Sequence, residues 1–379
     1  MLYSSTVVYT VASLGVTKHL ACNVRPRHGE SARRGEGYIY MASLLRRSST
    51  RSAVLTASAR RFSSLIPPLV DVRCFGEPSC EALRATTAEK ASSACREHGL
   101  LALPAYGGID PKLVSAAWGA VHGFFELPLE KKMELAYRDV RENVGYIKSG
   151  NEKPDPTLPE PDPKEVFQFQ PGKRDLPAEL EEPLSAIFAA GVLAGRSTLR
   201  CLARSLDLPD DETFARAISS LDQCSLRAVH YPGGVAPLAN RCGAHTDFGL
   251  CTLLLNEHDG PPGLQAENNA TGEWRHVMPP DGAQDGGVGV AFVNLGGQLE
   301  RWSNDEVVAT RHRVVAPADP AEAARSRFVI ALFIDADTPT DLACLEHFVS
   351  ESRPAKYPPM TSGDYKAMRL DYQTTVDDA

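Results

Sequence analysis

The chain has 379 residues, 43% of them apolar, which is enough to bury a sizeable core in one large domain with appendages. Its formal net charge is −8, with 40 basic and 48 acidic residues, so no basic surplus is available to bind a phosphate backbone. It has no uninterrupted apolar run of the roughly eighteen residues that a bilayer span needs. Composition therefore argues against nucleic-acid binding and against a membrane span.

The cysteines suggest neither a metal site nor a disulfide framework. There are nine, an odd number, and no C-x-x-C pair occurs among them. We therefore expect reduced thiols in a reducing compartment.

The segment between Met41 and Ser64 carries five arginines and no acidic residue, with serine, threonine, alanine and leucine between them. This composition is typical of an organellar transit peptide, and Arg60-Arg61-Phe62-Ser63 resembles a mitochondrial processing site. We therefore predict that residues 1–62 are a targeting or disordered segment and that the protein is mitochondrial. A solvated basic tail on a cytoplasmic protein is the alternative. Met41 is a second possible start.

The remaining chain changes from helical to strand-like patterns near residue 220. The predicted elements are an edge strand at 66–71, a helix at 79–97, a buried strand at 100–103, two helices within 111–137 divided by Pro128, a loop at 150–175 and a long amphipathic helix at 178–206. From Leu226 onward, short apolar runs alternate with Gly, Pro, Asn and Asp, which is typical of an all-β sandwich or jelly roll.

One strand-like run, Gly243–Leu255, carries His245 and Asp247 two positions apart. In an extended strand these side chains project from the same face. An imidazole and a carboxylate so placed supply two of the three ligands of a 2-His-1-carboxylate iron site. The triplet alone is a weak signal, because a histidine or an aspartate near a strand is usually an ordinary surface or turn residue, and a third ligand must come from elsewhere.

Several further motifs occur in one order along the chain. They are Phe124–Pro128, Asp162–Glu165, Leu226–Pro232, Gly243–Leu255, Gly263–Gln265, Val293–Gly296, Leu299–Asn304 and Arg311–Val315. Together they resemble the isopenicillin N synthase-like 2-oxoglutarate/iron(II) dioxygenases over nearly all of residues 66–372. The resemblance implies a mainly β fold with helical flanks, in which a double-stranded β-helix (jelly roll) core follows an N-terminal helical or mixed region. It also implies that His312 is the third iron ligand.

The same resemblance indicates where 2-oxoglutarate binds. The family holds the distal carboxylate with the arginine of an R-x-S motif, which here reads Arg327-Phe328-Val329, so the arginine is present and the serine is replaced by Val329. Alternation predicts that Arg327 and Val329 face the pocket. The family also uses the tyrosine that matches Tyr231. The missing hydroxyl should weaken co-substrate binding without removing it.

The implied boundaries are 66–220 for the N-terminal region, 221–345 for the core and 346–379 for a C-terminal helical tail. The implied activity is oxidation, most simply hydroxylation, of a small organic metabolite, with His245, Asp247 and His312 as the catalytic and metal-binding residues and with release of succinate and carbon dioxide. The expected partners are a small-molecule substrate and O₂, with no nucleic acid and no membrane, on a monomer. Two alternatives stay open: a same-fold iron oxidase that does not use 2-oxoglutarate, and a non-catalytic jelly-roll binding protein.

Overall fold

The computed structural model describes residues 6–13, 16–23, 63–76, 81–139, 142–257, 259–281 and 289–374, and it divides the chain into two compact units, 1–61 and 62–379. In the first unit, β1 (Thr6–Ser13) and β2 (Val16–Asn23) form an antiparallel hairpin. β-Branched residues are frequent in β1, which favours a strand. This hairpin was not predicted. The arginine-rich stretch of the proposed targeting segment lies outside the described residues.

The second unit contains the remaining elements. Its strands are β3 (Ser64–Leu65), β4 (Leu100–Pro104), β5 (Gly145–Ile147), β6 (Glu165–Phe169), β7 (Ser225–Tyr231), β8 (Asn240–His245), β9 (Cys251–Asn256), β10 (Leu264–Glu267), β11 (Trp274–Val277), β12 (Val290–Leu295), β13 (His312–Val315) and β14 (Arg327–Ile334). Its α-helices are α1 (Glu81–Glu97), α2 (Pro111–Phe125), α3 (Leu129–Glu134), α4 (Ala178–Ser205), α5 (Glu212–Ala215), α6 (Gly297–Trp302), α7 (Pro320–Ala323) and α8 (Ser362–Thr374).

Two sheets form the core. The seven-stranded sheet has the order β4-β12-β9-β14-β7-β6-β5, and the five-stranded sheet has the order β3-β11-β10-β13-β8. Every pairing in the two sheets is antiparallel except that of β3 with β11. From β8 to β14 the chain alternates between the two sheets, with the paired strands β10 and β11 as one step in the five-stranded sheet. This is the arrangement of a double-stranded β-helix, so the predicted jelly-roll core is confirmed.

The long helix α4 packs against the seven-stranded sheet. A Cβ on Gly191 would lie 2.3 Å from Leu332 and one on Gly195 would lie 2.9 Å from Ile334, so the helix lies closer to β14 than side chains at these positions would allow. By length and composition α4 could cross a membrane, but 67% of its most apolar window is buried within the fold. It behaves as a core helix.

The predicted helices are largely confirmed, and Pro128 does separate α2 from α3. The predicted edge strand 66–71 is misplaced, because β3 ends at Leu65, before two prolines that lack the N–H a ladder requires. The predicted loop 150–175 contains β6, all of whose residues are buried. Its Pro, Asp and Glu content obscured the short run Val166-Phe167 within it.

The run Gly243–Leu255, predicted as one strand, forms parts of two strands. β8 ends at His245 in one sheet and β9 begins at Cys251 in the other, so residues 246–250 carry the chain between the sheets. A Cβ on Gly249 would lie 2.8 Å from the Ile334 carbonyl oxygen, so the crossover passes very close to the end of β14. Asp247 therefore lies just beyond the strand that carries His245.

A buried ionic network joins β6 to its neighbours. Glu165 accepts hydrogen bonds from Lys132 Nζ at 2.8 Å and from the Tyr146 hydroxyl, and its other oxygen lies 2.7 Å from His230 Nδ1. Burial alone would raise the pKa of Glu165, but these hydrogen bonds lower it to about 2. The charged carboxylate therefore stabilises the fold.

We expect Glu165→Gln to lower the free energy of unfolding by about 3–5 kcal/mol, because Lys132 would remain buried without a counter-charge. The folded-state pKa lies below the ordinary 4.5, so the stabilisation is complete above pH 4.5 and is lost as pH falls toward 2. Denaturant titrations across this range measure the difference between wild type and variant. Glu134→Gln, at an exposed pair with Lys131, is the control and should change little. A wild-type advantage that did not vary with pH would contradict the assignment.

Candidate active site

Three predicted residues meet on the five-stranded sheet. His245 and His312 are direct cross-strand partners on β8 and β13, and Asp247 follows β8 immediately. Each histidine Nε2 lies 3.9 Å from Asp247 Oδ1, and one ligand atom from each of the three residues falls within 4.8 Å of the others. This arrangement could hold a metal ion, and the donor set of two imidazoles and one carboxylate suits iron(II).

Backbone carbonyls fix the orientation of both imidazoles. His245 Nδ1 lies 2.8 Å from the carbonyl oxygen of Gly243, and His312 Nδ1 lies 3.0 Å from that of Thr310. An Nδ1–H donating to each carbonyl leaves the Nε2 lone pair directed at the centre of the cluster. The strands thus select the tautomer that a metal ligand requires.

The protonation states also suit a cation. Burial lowers the pKa of His245 and of His312, which favours neutral imidazoles. Burial alone would raise the pKa of Asp247, but the two adjacent histidines outweigh this effect and hold it below its usual value. Two neutral nitrogens and one carboxylate therefore face a common point.

The predicted co-substrate residues lie on the opposite, seven-stranded sheet. Tyr231 on β7 and Arg327 on β14 are cross-strand partners, and both are buried residues that line the cavity. Burial raises the pKa of the Tyr231 hydroxyl, so it remains a protonated donor. The predicted alternation is confirmed, because Arg327, Val329 and Ala331 all line the cavity.

Two hydrogen bonds hold the guanidinium of Arg327, and one of its three nitrogens has no partner among the described residues. Nη1 donates to the Pro261 carbonyl oxygen at 2.7 Å and Nη2 donates to Asn256 Oδ1 at 2.5 Å. Its Nε is buried and has no partner within the described part of the chain. An unpartnered buried donor on a cation is costly unless an anion binds it, so this position fits a carboxylate.

The family models match most of the second unit. One described as "non-haem dioxygenase in morphine synthesis N-terminal" matches residues 67–186, and one described as "2OG-Fe(II) oxygenase superfamily" matches residues 222–336. The chain belongs to the 2OG-Fe(II) oxygenase superfamily. Its cofactors are accordingly Fe²⁺ and 2-oxoglutarate, and its activity is that of an oxidoreductase.

Individual relatives agree with this membership. The chain is 26% identical to a 2-oxoglutarate-Fe(II) type oxidoreductase of Aspergillus fumigatus, over 78% of this chain and 89% of that protein. It is 30% identical to a proline hydroxylase of Petromyces alliaceus, over 67% of this chain and 82% of that protein. Its structure resembles that of a full-length Neurospora crassa protein in complex with alpha-KG, with a TM-score of 0.69 and 27% identity over 81% of this chain and 97% of that one.

The oxygenase cavity has a volume of about 1280 Å³ and lies between the two sheets. Its lining includes all five predicted residues, namely His245, Asp247, His312, Arg327 and Tyr231. Further walls come from the loops between α3 and β6 and from α8. The volume is larger than 2-oxoglutarate requires, which leaves room for a second small molecule.

Three residues that support the site were not predicted. Asn294 Nδ2 lies 3.3 Å from Asp247 Oδ2, Asn256 holds Arg327, and Arg369 on α8 donates to the Thr246 carbonyl oxygen at 3.2 Å. Asn294 could have been found as the lone polar side chain in the buried strand β12. Arg369 gives no local signal, because its contact with residue 246 exists only after folding.

Proposed function

We propose that the chain hydroxylates a small organic metabolite, using iron held by His245, Asp247 and His312. In this proposal Arg327 and Tyr231 bind the distal carboxylate of 2-oxoglutarate. The observation that carries it is the pairing of the site residues across strands. One histidine pair lies on the five-stranded sheet and one Arg–Tyr pair on the seven-stranded sheet, and all four side chains line one cavity.

When bound, iron(II) and 2-oxoglutarate supply the oxidising chemistry, with succinate and carbon dioxide as co-products. The protein's residues supply geometry and charge. The carbonyl-anchored histidines present fixed lone pairs, Asp247 supplies the negative charge, and Asn294 holds that carboxylate in place. Arg327 orients the co-substrate by its fixed guanidinium plane, because Asn256 and Pro261 prevent it from rotating.

Membership of the superfamily favours this function over the two alternatives left open by the sequence. A non-catalytic binding protein would have no need of the complete set of two histidines and an aspartate. The alternative of a same-fold oxidase that does not use 2-oxoglutarate rests on Val329, which replaces the serine of the family motif. Against it, the unpartnered Nε of Arg327 supports binding of an anionic co-substrate. The test is succinate formation from 2-oxoglutarate by the iron-loaded protein in the presence of a metabolite mixture. Oxygen consumption without succinate would contradict the proposal.

We also propose that the protein acts as a monomer in mitochondria, without nucleic-acid or membrane partners. The support is the acid-free, arginine-rich composition of residues 41–62 and the net charge of −8.

A reporter protein fused to the C-terminal side of residues 1–62 should enter mitochondria. The same fusion should not enter them when five arginines are changed to glutamine, namely Arg46, Arg47, Arg51, Arg60 and Arg61. The chain beginning at Ser63 should fold with unchanged thermal stability. A cytosolic wild-type reporter would contradict the targeting proposal.

A further inference from the structure

The part of the cavity that the proposed function leaves unassigned is centred on Arg227. Arg227, Val229 and Tyr231 alternate along β7 and all line the cavity. Four residues of strand separate Arg227 from Tyr231 by about 13 Å. The four carbon–carbon bonds of 2-oxoglutarate, at about 1.5 Å each, span at most about 6 Å. The spacing exceeds the length of the co-substrate's carbon chain, and the proposed function assigns the other end of that chain to the metal ligands on the opposite sheet, so Arg227 has no assigned role.

The register of the sheet places Arg227 toward the end that carries the predicted metal ligands. Ser225 pairs with Phe333, Phe333 pairs with Thr252, and Thr252 pairs with Asn294, whose side chain contacts Asp247. Arg227 lies only two residues from Ser225 on the same strand. A second molecule lying beyond the co-substrate would therefore meet this guanidinium.

Hydrogen bonds hold the Arg227 guanidinium in place but do not use all of its nitrogens. Its Nε donates to Gln168 Oε1 at 2.9 Å and its Nη2 donates to Glu152 Oε1 at 2.8 Å, while the side chain keeps 27% of its surface exposed. Within the described residues its Nη1 has no hydrogen-bond partner, and neither does the nearby Tyr137 hydroxyl, which also lines the cavity. Burial raises the pKa of Tyr137, so this hydroxyl remains a donor. Two donors without a partner among the described residues thus belong to neighbouring residues that both line the cavity.

The charge of this wall is opposite to that of the whole chain. Apart from Asp247 and Arg327, the cavity lining contains six basic and three acidic side chains, whereas the chain has a net charge of −8. Glu152 already neutralises Arg227 in part and also lies 3.4 Å from Lys164 Nζ, which Asp162 binds as well. The excess of positive charge in the cavity lining comes from three lysines that form no ion pair with any described residue, namely Lys148, Lys153 and Lys173. A positively charged wall in a negatively charged protein attracts small anions.

Resting on the proposed function, we propose that the primary substrate is a small carboxylic acid whose carboxylate binds the Arg227 Nη1 and the Tyr137 hydroxyl. Two donors match the two oxygens of a carboxylate, while a phosphate would leave more of its oxygens unpaired. Lys148, Lys153 and Lys173 raise the local concentration of anions at the cavity wall. Glu152 and Gln168 position the guanidinium and limit its rotation.

The test uses the full-length protein with iron(II) and 2-oxoglutarate and a panel of aliphatic, cyclic and aromatic carboxylic acids, including amino acids. Each acid is paired with its primary amide and with a phosphomonoester of similar size. Succinate formation measures turnover, and calorimetric titration of the oxygen-free complex measures binding. We expect at least one acid to bind and to stimulate succinate formation, and its amide and phosphomonoester to do so at least tenfold less well.

Arg227→Met should weaken binding of that acid by about 10- to 100-fold, and Arg227→Lys should restore part of the loss. Arg200→Met is the matched control, because Arg200 is 28% exposed and pairs with Glu212 at 2.6 Å but lies outside the cavity lining. It should leave acid binding unchanged. Titration with 2-oxoglutarate alone shows whether each variant is folded and competent.

Amides or phosphomonoesters that perform as well as the acids would overturn the inference, as would Arg227→Met and Arg227→Lys proteins that bind 2-oxoglutarate and retain full acid selectivity. Binding of 2-oxoglutarate with no response to any acid would also overturn it, while leaving the proposed co-substrate use intact. Failure to bind 2-oxoglutarate at all would instead refute the proposed function.

Discussion

Replacing His245 or Asp247 with alanine should abolish succinate formation while the protein remains folded. Loss of a residue that supports a metal ligand typically costs about 10- to 100-fold in affinity or activity, so loss of a ligand itself should exceed 100-fold. The fold should survive, because Asp247 is a buried charge without a basic residue beside it other than the two histidines. Metal analysis after anaerobic loading measures the iron content, and thermal denaturation of the metal-free proteins measures their stability.

Two control variants sharpen this experiment. His276→Ala removes a histidine that lies on β11, outside the cavity lining, and should retain iron and activity. Asn294→Ala removes the amide that contacts Asp247. Its iron content and turnover should lie between those of the wild type and those of the two ligand variants. Near-normal iron content and turnover in Asp247→Ala would refute the assignment of the metal site.

Replacing Arg327 with alanine should nearly abolish 2-oxoglutarate binding. The guanidinium is buried, so its removal would leave the distal carboxylate of the co-substrate desolvated and without a counter-charge, at a cost of about 2–5 kcal/mol. Anaerobic titration of the iron-loaded protein measures this affinity directly. An affinity within about threefold of wild type, well below the tenfold that 1.4 kcal/mol represents, would exclude Arg327 from the co-substrate site.

Val329→Ser should raise the affinity of the iron-loaded protein for 2-oxoglutarate. The serine restores the hydroxyl that the family motif carries, and a hydrogen bond to a charged group contributes about 1.5–3 kcal/mol at most. Val329 packs in an apolar cluster with Val166, Val229 and Val314, so the substitution also removes contacts. Val329→Ala is the matched control, since it loses those contacts without adding a donor. If serine and alanine variants bind 2-oxoglutarate equally, the hydroxyl has no role here.

The sequence predicts most of the site because its residues lie in local patterns. His245 and Asp247 lie two positions apart in the sequence, and the alternation along β14 correctly places Arg327 and Val329 toward the cavity. His312 was reached only through the family resemblance, since its pairing with His245 spans 67 positions and leaves no local trace. The same limit explains why Arg369 was missed.

Errors in the predicted elements arise where local composition does not reveal a distant contact or a short strand. The chain crosses between the sheets at residues 246–250, which contain no proline, so the composition of residues 243–255 predicts one continuous strand. Gly249 was the available signal, but its need for a small residue arises from the Ile334 carbonyl, which is distant in sequence. Strand β6 was not predicted from the sequence because the residues on either side of it are typical of loops.

The location of the two cross-strand pairs on opposite sheets makes ligand binding a form of cross-linking. Iron would be anchored to β8 and β13, and the far end of 2-oxoglutarate to β7 and β14, so the bound pair joins the two sheets through the cavity. Each ligand should therefore increase the affinity for the other by the same factor, as thermodynamic linkage requires. The distance between the two sheets then determines which length of dicarboxylic acid can reach both anchoring sites. Leu254 on β9 and Val314 on β13 line the cavity and pack in one apolar cluster, so they lie on the two sheets that the bound pair would join.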